Sequence, residues 1–308
     1  MKPGRITGAL GRILLGFGAL VLLFAAYQLW GTNIFEARSQ AHLRQQFDAE
    51  LHHRRLPPTQ PSPSSSTTTE PGGTTTSVPG ATASPVVAPP EGRPLGIIEI
   101  PKIGVDKVIV QGTGTGDLQE GPGHYVSTAL PGQLGNVAIA GHRTTYGAPF
   151  YNLDALVPGD LIVLTTTWGT FSYAVTASEV VAPTDLSPLA PTTQATLTLT
   201  TCTPRFSASQ RLVVVAALRS NPVPGGPKPS PPRTSLAGAE LRDLDAADWV
   251  PALLWGLAVA VVASAVWLLG RRRQGRNRWL AYGAGAVFVL VVLFFFFSAV
   301  SPLLPASY

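Results

Sequence analysis

The chain has 308 residues, of which 45% are hydrophobic and only 13% are charged, and its formal net charge is +5. Five of its 22 basic residues are arginines of segment 271–278, which lies between two long apolar stretches. A basic cluster in that position is typical of a membrane topology determinant, so the charge does not indicate nucleic-acid binding. The single cysteine excludes an internal disulfide.

Three uncharged apolar stretches predict transmembrane helices at residues 13–30, 249–270 and 279–300. Each is about long enough to cross a ~30 Å hydrocarbon core as a helix. Phe24 occupies the wrong position for an A-x-A cleavage site, so we expect the first stretch to be a retained anchor and not a cleaved signal peptide.

Membrane topology follows from the positive-inside rule. Residues 1–12 and the loop 271–278 are basic and are expected to be cytoplasmic. Residues 31–248 and the C-terminus, residues 301–308, are then extracellular, and the protein is a multi-pass protein of the plasma membrane.

The exterior segment divides into four parts. Residues 31–56 contain Leu43, Phe47 and Leu51 at helical spacing, which predicts a helix that either extends the membrane helix outward or packs on the next domain. Residues 57–94 are rich in Pro, Ser and Thr and are expected to be a disordered linker. Residues 221–248 form a connector with a short acidic helix at 236–247.

The remaining part, residues 95–220, has the pattern of an all-β domain. Short apolar strands separated by Gly and Pro predict a sandwich or a closed barrel, with one short helix at Pro149–Leu156. The predicted strands are Gly96–Ile100, Val108–Val110, Asn136–Ala140, Asp160–Thr166, Thr170–Thr176, Ala195–Thr201 and Arg211–Leu218.

Cys202 is the candidate nucleophile, because a lone thiol in an exported domain suggests intermolecular pairing or a reactive group. A thiol attacks a carbonyl well only as a thiolate, so it needs a nearby base or cation. The domain has two histidines, His124 in a turn-rich loop and His142 at the exit of an apolar strand. A strand exit presents a side chain rigidly, which makes His142 the better candidate for the general acid/base.

Positive charge near the thiol is also expected. If the strands on either side of the loop Thr203–Gln210 pair, then Arg211 lies beside Cys202, where it could stabilise an oxyanion but not act as a base. Arg205, inside the loop, could be a second cation near the thiol and is by default a surface residue.

These residues resemble the sortases, membrane-anchored cysteine transpeptidases of Gram-positive bacteria. The resemblance covers about residues 95–220 and rests on four features: Ile-Glu-Ile-Pro-Lys-Ile-Gly at residues 98–104, Gly141-His142, the TLxTC signature at Thr198–Cys202, and Arg211 downstream. Residues 121–125 and 141–150 look most like class E sortases of high-GC actinobacteria.

The resemblance implies an eight-stranded β-barrel with short helices, carried here with one N-terminal and two C-terminal transmembrane helices. It implies that Cys202 is the nucleophile, His142 the general acid/base, and Arg211 the residue that holds substrate and stabilises the oxyanion. Such an enzyme cleaves a sorting motif of LPxTG or LAxTG type after threonine, forms a thioester, and transfers the acyl group to an amine. Its partners would be surface proteins that carry the motif, and the amine of a peptidoglycan precursor or a pilin.

Further candidates for contact with the sorting peptide are Tyr125, Thr200 and Tyr146. The chemistry needs no metal and no cofactor, because one nucleophile and one proton-transfer group suffice. Two other functions remain open on sequence grounds: a catalytically silent scaffold that binds envelope peptides, and a cysteine hydrolase that releases proteins without transfer.

Overall fold

The computed structural model describes residues 3–55, 86–223, 246–272 and 276–301. Most of the predicted linker 57–94, most of the connector 221–248 with its acidic helix, and residues 302–308 lie outside the described residues.

Eight strands form a closed barrel in the order β1-β2-β3-β4-β7-β8-β6-β5. The pairs β2–β3 and β4–β7 are parallel and the other pairs are antiparallel. The all-β barrel expected from the sequence is therefore confirmed. The strands are β1 (Pro94–Ile100), β2 (Val105–Gln111), β3 (Gly123–His124), β4 (Gly135–Ala140), β5 (Leu161–Thr166), β6 (Gly169–Val181), β7 (Ala195–Thr203) and β8 (Gln210–Leu218).

The barrel core forms because alternate side chains of each strand point inward. In β5 the buried residues are Ile162, Leu164 and Thr166, separated by more exposed neighbours. β4 is different, since all six of its residues are buried. Both faces of β4 are covered, and a strand covered on both faces offers a rigid base for the residues that follow it.

Three sequence predictions for the barrel need correction. β3 was missed, because two residues are too few to show a period. β6 continues five residues beyond Thr176, where its exposed second half pairs with β8. The helix predicted at Pro149–Leu156 is only a 3₁₀ turn, Leu153–Ala155, within a series of turns closed by i→i+3 hydrogen bonds. The predicted apolar face is nevertheless buried, at Phe150, Leu153 and Leu156.

The N-terminal helices α1 (Pro3–Ala26) and α2 (Thr32–Arg55) are joined without a break by a π-helical turn, Tyr27–Gly31. Both alternatives for the predicted outer helix hold, because α2 extends the apolar helix and also packs on the barrel, where Leu43 and Phe47 are buried. Gln40 binds both backbone groups of Val108, donating to its oxygen at 3.0 Å and accepting from its nitrogen at 2.7 Å.

A short helix, α3 (Thr115–Glu120), follows β2, and the two C-terminal helices are α4 (Ala246–Arg272) and α5 (Arg276–Val300). α4 and α5 are antiparallel, and the rings of Trp255 and Phe295 stack at 4.9 Å. α5 also contacts α1 edge-to-face through Phe24 and Phe297, whose centroids are 5.2 Å apart. Within the part of the chain that the structure describes, three helices, one N-terminal and two C-terminal, are long and apolar enough to cross a membrane.

Candidate active site

Cys202 and Arg211 lie directly opposite each other on the antiparallel pair β7–β8. The predicted hairpin is therefore formed, and its loop brings the thiol and the guanidinium to the same end of the barrel. Nη1 of Arg211 donates to the carbonyl oxygens of Ala208 at 3.1 Å and Gln210 at 3.2 Å, which fixes the side chain across the loop. Nε of Arg211 is buried and has no hydrogen-bond partner among the described residues.

His142 reaches the same end through the parallel pair β4–β7. The register aligns Ala140 with Thr200, and the ladder continues as Gly141 N donates to Thr200 O at 3.1 Å. Thr201 Oγ1 donates back to Gly141 O at 2.7 Å. His142 follows β4 by two residues and therefore leaves the barrel at the same end as Cys202.

A second cation near the thiol is Arg143, which sequence reasoning did not select. It is buried, its Nη1 donates to the Cys202 carbonyl oxygen at 3.2 Å, and its Nη2 pairs with Asp154 at 2.9 Å. The usable signal was its position directly after His142 at a strand exit. Arg205 is instead a surface residue, as the default interpretation held: it pairs with Asp154 and lies over the Tyr151 ring.

The electrostatic environment favours neutral forms of both reacting groups. Burial raises the pKa of the Cys202 thiol, and the positive charges of Arg211 and Arg143 act in the opposite direction. Burial lowers the pKa of His142 to about 3. With substrate absent, the site therefore holds a thiol beside a neutral imidazole at pH 7, with two guanidinium groups nearby.

Tyr125 and Thr200 lie next to the thiol. The Tyr125 hydroxyl and Thr200 Oγ1 are 3.3 Å apart, and Tyr125 shares a buried cluster with Cys202. Burial raises the pKa of Tyr125, so its hydroxyl keeps its proton and can donate a hydrogen bond. Leu189, between β6 and β7, belongs to this cluster and Leu186 packs against it; sequence reasoning did not select either residue.

Tyr146 lies on the other side of the site, against the histidine. Its ring centroid is 5.0 Å from that of His142, at an interplanar angle of 37°. Nδ1 of His142 lies 3.2 Å from Thr145 Oγ1, a residue of the same loop.

His124 is separate from this arrangement. It is fully buried, with Nε2 at 2.9 Å from Ala129 O and Nδ1 at 2.9 Å from Gln111 Oε1. Burial lowers its pKa to about 4. A neutral ring carries one N–H, so it donates to only one of these two oxygens at a time.

Comparison with known proteins agrees with the geometry. The family model for the sortase domain matches residues 98–219, which includes Cys202, His142 and Arg211. The chain belongs to the sortase family. Sortases are cysteine transpeptidases.

Individual relatives place it in the class E-like group. It is 31% identical to sortase SrtE1 of Streptomyces coelicolor over 232 residues, 69% of this chain and 58% of that protein. It is 36% identical to sortase D of Bacillus subtilis over 117 residues, 38% of this chain and 58% of that protein. The solved sortase E of Streptomyces avermitilis is 41% identical and aligns over 42% of this chain and 91% of its own, with a TM-score of 0.39. The chain thus spans somewhat over half the length of the curated relatives SrtE1 and sortase D.

Proposed function

We propose that this protein is a membrane-anchored sortase that cleaves a sorting motif of LAxTG or LPxTG type after threonine and transfers the acyl group to an amine. Cys202 is the nucleophile, His142 the general acid/base, and Arg211 the oxyanion and substrate contact. The acceptor is an amine of a peptidoglycan precursor or of a pilin subunit, and the donors are surface proteins that carry the motif.

The observation that carries this proposal is the convergence of two strand registers. β7–β8 aligns Arg211 with Cys202, and β4–β7, which aligns Ala140 with Thr200, supports a position for His142 at the same end of the barrel. A peptide-binding scaffold has no need of a cysteine flanked by a proton-transfer group and a buried guanidinium.

The reaction begins with two neutral groups. His142 takes the proton of the Cys202 thiol as sulfur bonds to the threonine carbonyl carbon, and negative charge develops on the carbonyl oxygen. Arg211 stabilises that oxygen, and its buried Nε is a donor that the described residues leave unused. The C–N bond then breaks, the histidine returns the proton to the leaving glycine amine, and a thioester remains on the cysteine.

The second half of the reaction reverses these roles. The acceptor amine attacks the thioester carbonyl and gives a proton to His142, the C–S bond breaks, and the cysteine recovers its proton. Water can replace the amine in this step, which gives hydrolysis. Transfer therefore requires an acceptor that reaches the thioester before water does.

The proposed topology places the barrel outside the membrane. Residues 1–12 and 271–278 are cytoplasmic, so the N-terminal helix leaves the membrane on the exterior side and continues as α2. Because α2 packs on β1 and β2, the active site lies at a fixed height above the membrane, although the sequence also has a linker between α2 and β1.

The test is incubation of the purified full-length protein with LAxTG and LPxTG peptides, with and without a peptide amine, followed by mass spectrometry. We expect an acyl adduct on Cys202 and a ligated product only when the amine is present. Cys202→Ala should abolish all turnover and leave the fold intact. His142→Ala should lower turnover by about 10²–10⁴-fold, the range of general acid–base catalysis.

Each alternative function gives a different result in the same experiment. A cysteine hydrolase forms the adduct and releases only the hydrolysed peptide, even when the amine is abundant. A silent scaffold binds peptide and forms no adduct. Residual cleavage by Cys202→Ala would refute the nucleophile assignment.

A further inference from the structure

The loop that follows His142 is held from outside the barrel, by the membrane-linked helices. Its residues Tyr146, Gly147 and Ala148 have φ values of +48°, +72° and +42°, so two non-glycine residues adopt the left-handed conformation. Such a conformation persists only where the surroundings stabilise it, and it is common at functional sites.

The stabilising groups come from the first turn of α2. Thr32 Oγ1 accepts a hydrogen bond from Tyr146 N at 3.2 Å, and Asn33 Oδ1 accepts one from Gly147 N at 2.9 Å. A Cβ atom on Gly147 would lie 2.4 Å from Glu36 Oε2, so the loop backbone lies directly against a buried carboxylate. Two consecutive loop residues, Tyr146 and Gly147, thus depend on the helix for their geometry.

The tyrosine side chain is held by residues of the N-terminal and the C-terminal helices. Ser301, at the end of α5, donates from Oγ to Gln28 Oε1 at 3.3 Å and therefore accepts from the Tyr146 hydroxyl at 3.0 Å. Gln28 also accepts on its backbone oxygen from Thr32 Oγ1 at 2.8 Å. Gln28 lies in the π-helical turn between α1 and α2, a local irregularity that often marks a functional position.

From these contacts we infer that Tyr146 is a positioning residue for His142, and that Gln28, Thr32 and Ser301 of the membrane-linked helices hold it in place. The tyrosine ring limits rotation of the imidazole on the face away from the barrel. The hydrogen bonds fix the ring itself. This assignment rests on the proposed function, because it assumes that the imidazole transfers the proton.

The physical consequence is that the helix bundle and the catalytic histidine form one mechanical unit. Misplacement of a catalytic group by about 1 Å can cost about a hundredfold in rate. The C-terminal helices, which have no counterpart in the domain matched at residues 98–219, then contribute to catalysis through Ser301.

The first test uses the full-length protein in detergent and four variants. Tyr146→Ala removes ring and hydroxyl, so we expect kcat to fall about a hundredfold with KM changed less than about threefold. Tyr146→Phe keeps the ring and removes the hydroxyl, and Ser301→Ala removes the other partner of the same hydrogen bond. In each variant kcat should fall about fivefold, the effect of one neutral hydrogen bond. The double variant of these two should be no worse than either single variant. Ser298→Ala is the matched control, because the hydrogen bond that Ser298 Oγ makes among the described residues is to the carbonyl of Phe295 in its own helix.

A second readout does not need a substrate. The chain has one cysteine, so the rate of alkylation by iodoacetamide against pH reports on Cys202 and its neighbour alone. In Tyr146→Ala the imidazole gains solvent, and its titration should appear in the alkylation profile between about pH 5 and 7, near the ordinary histidine pKa. Tyr146→Phe and Ser298→Ala should keep the profile of the unmodified protein.

The two readouts separate failure of this inference from failure of the proposed function. If no peptide is turned over by the unmodified protein, the proposed function fails, and the alkylation profile still tests the position of the histidine. A wild-type kcat and alkylation profile in Tyr146→Ala would refute the positioning role. Unchanged rates in Ser301→Ala, or additive losses in the double variant, would refute the link to the membrane helices.

Discussion

Acid should destabilise the barrel through His124, a residue outside the active site. Its pKa falls from an ordinary 6.5 to about 4 because the ring is fully buried. Between these values the unfolded chain binds a proton that the folded chain does not, so the free energy of unfolding decreases as the pH is lowered from 6.5 to 4. Above pH 6.5 and below pH 4 this residue contributes no further change.

The magnitude follows from the size of the pKa change. Each unit corresponds to about 1.4 kcal/mol, so His124 alone should lower the free energy of unfolding by roughly 3 kcal/mol across this window. His142 acts in the same direction, since its pKa is lowered to about 3. A loss of this size is a large fraction of the stability of an ordinary domain.

The assay is urea unfolding of the detergent-solubilised protein at several pH values between 7.5 and 4. Exposure of Cys202 to 4,4′-dithiodipyridine, a disulfide reagent that reacts with thiols in acid, reports barrel unfolding, because this single cysteine is buried in the folded state. The comparison is His124→Gln, whose amide can still donate to the Ala129 carbonyl oxygen but does not titrate. The variant should be less stable at pH 7.5 and show a flatter pH dependence. Parallel curves for the two proteins would refute the reasoning.

Two further predictions concern the guanidinium groups near the thiol. Arg143→Gln should raise the pH midpoint of Cys202 alkylation and lower turnover at least tenfold, because it removes a nearby positive charge and the hydrogen bond to the Cys202 carbonyl. Arg205→Gln is the control: it loses a surface ion pair with Asp154, which also pairs with Arg143, and should change neither quantity. Arg211→Lys should lower kcat about 10²-fold despite keeping the charge, because lysine lacks the planar fork; near-normal peptide kinetics would reduce Arg211 to a structural residue.

The hairpin that carries Cys202 and Arg211 could be predicted because its information is local. Both strands alternate or run apolar over several residues, and a short polar loop joins them. His142 could be selected for a related reason, since a strand exit is visible in the sequence as an apolar run that ends at Gly141. The resemblance to sortases implied eight strands in a barrel, and the pairing of the other strands was not predicted.

Features that depend on distant contacts could not be predicted in this way. β3 is two residues long and exists because β2 and β4 lie on either side of it. The second half of β6 is exposed and lacks an apolar period, so only its pairing with β8 makes it a strand. Arg143 follows His142 at a strand exit, but its contact with the Cys202 carbonyl crosses 59 positions of the chain and could not be predicted.

The burial of the site protects the thiol in the resting state. Cys202, His142 and Arg211 are only 4%, 3% and 4% exposed, and burial disfavours both the thiolate and the imidazolium. Oxidants act on accessible thiolates, so the resting site protects its only cysteine. In the proposed mechanism a peptide substrate brings its carbonyl oxygen to the buried Nε of Arg211, which has no hydrogen-bond partner among the described residues, and negative charge then develops beside the guanidinium. Reactivity is therefore expected to rise on substrate binding, and alkylation of Cys202 by a peptide-linked chloromethyl ketone should greatly outpace alkylation by iodoacetamide.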